Sequence, residues 1–82
     1  MHISSIVAHV DPAQAARVRA AIGRVAGLAT HAASAEGKLV VTIEAATEAE
    51  SIALMEQVRL LAGVMSVAMV FHQYEPDPDQ EL

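Results

Sequence analysis

Lys38-Leu39-Val40-Val41-Thr42-Ile43-Glu44-Ala45 decides the fold. Leu39, Val41 and Ile43 alternate with Lys38, Thr42 and Glu44, the period of a strand with one face against a core. Downstream, Thr47 stands three residues before Glu50, the spacing of a capping box in which side chain and backbone satisfy each other at a helix start. A helix is expected over about 48–62, with Ile52, Met55, Val58 and Leu61 inward and Gly63 ending it. Residues 64–74 then read as a long strand, with Met65, Val67, Met69 and Phe71 on its inner face. Upstream, Ser34-Ala35-Glu36-Gly37 reads as a hairpin turn.

Before that turn, Leu28 to Ala33 forms a weaker strand. Leu28, Thr30 and Ala32 are expected on one face, and Ala29, His31 and Ala33 on the other. Asp11, Pro12 and Gln14 have the arrangement of another capping box, so a helix is expected over about 12–26. Val18, Ile22 and Val25 mark its buried stripe, and Gly27 suits a left-handed residue after it. Residues 3–10, rich in β-branched side chains, make the first strand.

The two halves rhyme. Val25-Ala26-Gly27-Leu28 answers Leu61-Ala62-Gly63-Val64, each joining a helix to a strand. Two split β-α-β units make an α+β, ferredoxin-like βαββαβ sandwich. The expected four-stranded antiparallel sheet has order 4-1-3-2, with both helices on one face. Residues 1–75 read as one domain, and residues 76–82 as an acidic tail without fixed structure.

Composition narrows the function. The 82 residues include no Cys, which excludes disulfides, thiolate metal sites and thiol catalysis. The net charge of −5 and only five Lys and Arg argue against nucleic acid and anionic membranes. The start, Met1-His2-Ile3-Ser4-Ser5-Ile6, does not read as a secretory signal, and no apolar run is long enough to span a bilayer. These features favour the cytoplasm.

With both helices on one side, the other face of the sheet is left open. Alternation assigns it Ser5, Val7 and His9; Ala29, His31 and Ala33; Val40, Thr42 and Glu44; and Ser66, Ala68, Val70 and His72. These side chains are small, mildly apolar and nearly uncharged. An ordinary solvated face carries more Lys and Glu, so the surface reads either as a partner site or as a homodimer interface.

Searches for chemistry give little. His9, His31 and His72 share the expected open face, but antiparallel pairing puts His9 and His72 about 20 Å apart, too far for one metal. Glu48 and Glu50 suit a solvated first turn and its dipole. The serines lack a His–Asp arrangement, and the glycines at 23, 27, 37 and 63 form no phosphate loop. Met55, Met65 and Met69 are expected in the core.

The C-terminal half carries a specific resemblance. Gly37 to Ala45, a helix ending Val58-Arg59, and Ala62-Gly63-Val64-Met65-Ser66-Val67-Ala68-Met69-Val70-Phe71-His72-Gln73-Tyr74-Glu75 resemble the NapD family, as does the opening Ile3 to Val10. The likeness spans about residues 3–75, and its most specific piece is 63–73. Helix one and strand two match mainly in pattern.

The resemblance implies the ferredoxin-like fold and the role of a cytoplasmic assembly chaperone, not an enzyme. Such a protein binds the twin-arginine signal peptide of the periplasmic nitrate reductase catalytic subunit. It delays export until the molybdenum cofactor is inserted and the subunit folded, and takes no cofactor itself. The expected peptide contacts are Val7, His9, Val40, Thr42, Ala68, Val70 and His72, with Glu44 as partner to an arginine. The free protein is expected as a monomer or weak homodimer. Two other classes stay open from pattern alone: a dimeric small-molecule regulatory domain of the same fold, and a ferredoxin-like dimeric enzyme.

Overall fold

The computed structural model describes residues 1–74, with side chains through Val70. The chain runs β1 (His2–Val10), a 3-10 turn (Pro12–Gln14), α1 (Ala15–Gly23), β2 (Leu28–Ala33), β3 (Lys38–Ala45), α2 (Glu48–Arg59) and β4 (Val64–Tyr74). The sheet order is β2-β3-β1-β4, with every neighbouring pair antiparallel. This is the expected order read from the other edge, and the fold is ferredoxin-like. The expected tail at 76–82 lies outside the described residues.

Alternation works as expected on the two central strands. Ser4, Ile6, Ala8 and Val10 of β1 are buried, as are Leu39, Val41, Ile43 and Ala45 of β3. They meet Val18 and Ile22 of α1, Leu28 of β2 and Val58 of α2. Ile6, Ile22, Leu39 and Ile43 are fully enclosed. Each contributes roughly 1.5–3 kcal/mol of burial free energy, which offsets the lack of aromatic bulk.

The first helix is shorter than expected and starts differently. Asp11 accepts from the Ala13 amide at 3.1 Å, while the Gln14 amide donates to the Asp11 carbonyl at 2.8 Å. The Asp11 side chain therefore closes a local turn rather than a capping box. The α-helix ends at Gly23, and successive turns carry the chain to Gly27, whose φ is +91°. Val25 packs against the core from this turn, beyond the helix.

The second helix starts as expected. The Glu50 amide donates to Thr47 Oγ1 at 3.1 Å. The Glu50 carboxylate reaches one residue further back than usual and accepts from the Ala46 amide at 3.2 Å. The helix ends at Arg59, and its buried stripe is shifted. Ser51, Leu54, Met55 and Val58 face inward, at spacing i, i+3, i+4, i+7, while Ile52 is 55% exposed. Met55, Val58 and Leu61 lie on or against the core as expected, and only Ile52 was misassigned, buried Ser51 standing beside it.

The outer strands break alternation with bulges, in which one strand carries an extra residue. On β2, Thr30 pairs with Val41 and Ala32 with Val40, which leaves His31 as the extra residue. Beyond it Ala32 joins the open-face row and Ala33 the row of Leu39, reversing the expected assignment. On β4, Met65 is extra between Val64 and Ser66, and Val70 is extra between Met69 and Phe71. Past Val70 the backbone pairs Phe71 with Ser5 and His72 with Ser4. By register, Phe71 falls in the open row and His72 in the row of buried Ser4, again the reverse of expectation.

Met65 is 70% exposed and Met69 45%, so neither is the core residue the pattern suggested. Met65 stands at a bulge. Met69 sits in the core row opposite Ile6, but on an edge strand.

Candidate functional site

Two turns hold the ends of the open face in place. In the β2–β3 hairpin, the Ser34 amide donates to the Lys38 carbonyl at 2.9 Å and the Lys38 amide to Ser34 Oγ at 3.1 Å. Gly37 takes φ +94°, and its carbonyl accepts from the Val10 amide at 2.7 Å. A Cβ at Gly37 would stand 2.1 Å from the Val10 carbonyl oxygen, so only glycine fits. This contact ties the hairpin to the end of β1. At the opposite end, the Glu44 amide donates to the Gly27 carbonyl at 2.8 Å and fixes where β3 meets the start of β2.

Between these anchors the register arranges the open face as successive cross-strand rows. His9 pairs with Lys38 and Ser66. Val7 pairs with Val40 and Ala68. Ser5 pairs with Thr42 and, by backbone register, Phe71. Ile3 pairs with Glu44 and Gln73. On the far strand Ala32 extends the Val40 row and Ala29 the Thr42 row. Neighbouring rows lie about 6.6 Å apart and strands about 4.8 Å apart.

Ser5, Val7, His9, Val40 and Thr42 are half-buried; Lys38, Glu44, Ser66 and Ala68 are exposed. Val7 and Val40 stand at the middle, walled by nothing larger than Ala68 and Ala32. Val70, at its bulge, is 60% exposed and lies outside the regular rows. The face is therefore a shallow, weakly apolar plate with Lys38 at one end and Glu44 at the other.

Of the expected contacts, register brings Val7, His9, Val40, Thr42, Glu44 and Ala68 onto this plate. His72 pairs through its backbone with Ser4, and its side chain lies outside those described. His31 leaves the rows and Ala32 replaces Ala33. Lys38 was legible by alternation as sharing the face of Val40 on β3 but was not among the expected contacts.

The bases and acids of the plate do not converge. His9 and His72 pair with Ser66 and Ser4, so their backbones stand five residues apart along β1, roughly 17 Å. Among the described residues no group of three or more His, Cys, Asp or Glu could hold a metal ion. At the end of β3, Glu44 also lines a cavity of about 380 Å³ against α2, with Gly27, Glu50, Ala53 and Gln57. Glu56 and Arg59 form an ion pair on exposed α2, away from the plate. Hydrogen bonding from Arg59 holds the Glu56 carboxyl below its ordinary range and raises the guanidinium. Among the described residues no helix is long and apolar enough to cross a membrane.

Comparison with known proteins agrees with the geometry. A family profile described as NapD protein matches residues 1–76. The solution structure of the E. coli Tat proofreading chaperone protein NapD is similar, with a TM-score of 0.81 and 25% sequence identity. The match covers 98% of this chain and 85% of that one. No curated protein sequence gives a significant match.

Proposed function

The chain belongs to the NapD family, and on that premise we propose that it is a cytoplasmic chaperone for a twin-arginine signal peptide. Its client is the catalytic subunit of a periplasmic nitrate reductase. The protein holds the signal against the open face of its sheet and delays export until cofactor insertion and folding are complete. It works by binding and catalyses no reaction.

The observation that carries this reading is the plate itself. Helices cover one side of the sheet and leave Val7, Val40, Thr42 and Ala68 on the other. A signal of this type has a basic start followed by an apolar stretch. The stretch can fold as a helix and lie on a smooth apolar surface, as helices do in grooves. Small side chains let that helix approach closely. Val7, His9, Val40, Thr42, Ala68 and Val70 are the proposed contacts; the side chain of His72, also expected, lies outside those described. Glu44 is the proposed partner of an arginine. An exposed pair of this kind contributes about 0–1 kcal/mol, so it serves orientation and on-rate more than affinity.

Calorimetric titration with the twin-arginine signal peptide of the organism's own nitrate reductase tests the reading. Micromolar or tighter binding is expected, weaker for a peptide with both arginines changed to lysine. Val7→Asp and, separately, Ala68→Glu should each weaken binding at least tenfold while the circular dichroism stays native. Undiminished binding to both folded variants would remove the sheet face from the reading. No binding at all by the folded wild type would overturn it.

A further inference from the structure

On the helix side of the sheet, away from the open face, a cleft of about 440 Å³ lies between α1 and β2. Ala16, Arg19, Ala20, Gly23 and Thr30 line it, and its volume falls within the range of small-molecule pockets. Ala16, Ala20 and Gly23 recur at helical spacing, so α1 puts nothing bulky over the outer strand. Thr30 pairs with Val41 in the core row, and its side chain lies on the side of α1. Its Oγ1 is buried and has no hydrogen-bond partner among the described residues. A buried hydroxyl without a partner costs free energy until an acceptor reaches it. The residue as a whole is only half-buried, and rotation about χ1 exchanges hydroxyl and methyl, which can turn Oγ1 into the cleft.

Arg19 stands over the same cleft from α1, exposed and in no ion pair among the described residues. Among those residues no carboxylate lines the cleft. Arg17 on α1 and Arg24 at its end add charge of the same sign, and the helix itself holds no acid. The local field is therefore positive in a chain of net charge −5. The strand supplies a further donor. β2 is an outer strand, paired on one side only. The Glu44 amide donates to the Gly27 carbonyl, and in an antiparallel pair such bonds fall on alternate residues. Ala29 thus turns its backbone toward β3, and Thr30 turns its N–H to the outer edge that borders the cleft.

We propose that this cleft is a second binding site, which takes a small molecule carrying an oxyanion, a phosphate or a carboxylate group. The Arg19 guanidinium supplies positive charge and a planar fork of donors. Thr30 supplies its hydroxyl and its outward N–H. The small side chains of Ala16 and Ala20, with Gly23, leave room for the body of the ligand. The cleft and the peptide plate lie on opposite sides of the sheet, so both can be filled at once, and the proposal stands apart from the peptide-binding reading.

Magnetic resonance titration of the isotopically labelled protein tests the site. The probes are inorganic phosphate and acetate, with ionic strength held constant by sodium chloride. Saturable shifts are expected at the amides of Arg19, Ala20, Gly23 and Thr30, with Kd of about 1 mM or tighter for at least one probe. Saturation by phosphate alone assigns a phosphate ligand, by acetate alone a carboxylate, and by both an oxyanion of either kind. Arg19→Ala and Thr30→Val should each weaken binding about tenfold, whereas Arg17→Ala, outside the cleft, should leave it unchanged. Thr30→Val removes the unpartnered hydroxyl and should melt no lower than wild type, which separates loss of binding from loss of fold. Shifts that stay linear with both probes would overturn the proposal. So would full binding by both cleft variants, or equal weakening by Arg17→Ala and Arg19→Ala, the mark of a diffuse field rather than a site.

Discussion

The hydroxyl oxygens of Ser4, on β1, and Ser51, on α2, lie 3.4 Å apart with both residues buried. This contact crosses from sheet to helix inside an otherwise aliphatic core. It accompanies the rotation of α2 in which Ser51 leads the buried stripe and Ile52 is turned outward. The separation is long for hydroxyls, so its contribution is modest. Ser51→Ala is expected to cost about 1 kcal/mol or less, measured by urea unfolding. Ser51→Leu should cost more, about 1–3 kcal/mol, because the enclosed site has no room for added methylenes. A Leu variant as stable as wild type would mean that the helix can rotate.

The same rotation predicts opposite behaviour for two aliphatic residues of α2. Val58 is 0% exposed and Ile52 is 55% exposed. Val58→Ala should cost about 2 kcal/mol by lost burial and a residual cavity. Ile52→Ala should stay within about 0.5 kcal/mol. Equal losses would contradict the observed stripe.

Glycine replacements separate backbone need from mere tolerance. Gly37 has φ +94°, and a side chain there meets the Val10 carbonyl oxygen. Gly37→Ala is expected to cost about 2 kcal/mol or more and to loosen the end of the plate near His9. Gly23 ends α1, and a Cβ there meets nothing within 4 Å. Gly23→Ala should stabilise by about 0.4–1 kcal/mol. Thermal melts of the two variants should therefore move in opposite directions.

The Glu56–Arg59 pair gives a pH signature with a defined sign. Arg59 donates to the Glu56 carboxylate and lowers its pKa. A carboxyl whose folded pKa is depressed adds stability above its unfolded pKa and loses it as pH falls through the folded value. Carbon-detected titration should place Glu56 below the ordinary glutamate range, and Arg59→Gln should return it there. Because both groups are exposed, the variant's melting temperature should hardly change at neutral pH.

Much of the candidate site was legible because it lies on the central strands. β1 and β3 each have neighbours on both sides and keep strict alternation, so Val7, His9, Val40, Thr42 and Glu44 fall where period two puts them. Ala68 follows because it sits between the two bulges of β4. Errors cluster on the outer strands and on one helix stripe. Ala33 was misplaced by the bulge at His31. Ile52 was misplaced because Ser51 occupies a core position without looking apolar.

The sequence by itself determined the element order, the strand pairing, the turns at Gly37 and Thr47, and the family. These depend on local chemistry: capping side chains, a glycine at positive φ, and alternation along buried strands. Only the tertiary structure decided which residues of β2 and β4 face outward. A bulge inserts one residue against a partner strand and reverses every later position, yet leaves no mark on the chain's own alternation. It likewise took the packed core to bring Ser4 and Ser51 together, since they are far apart along the chain and nothing local marks either hydroxyl as a core group.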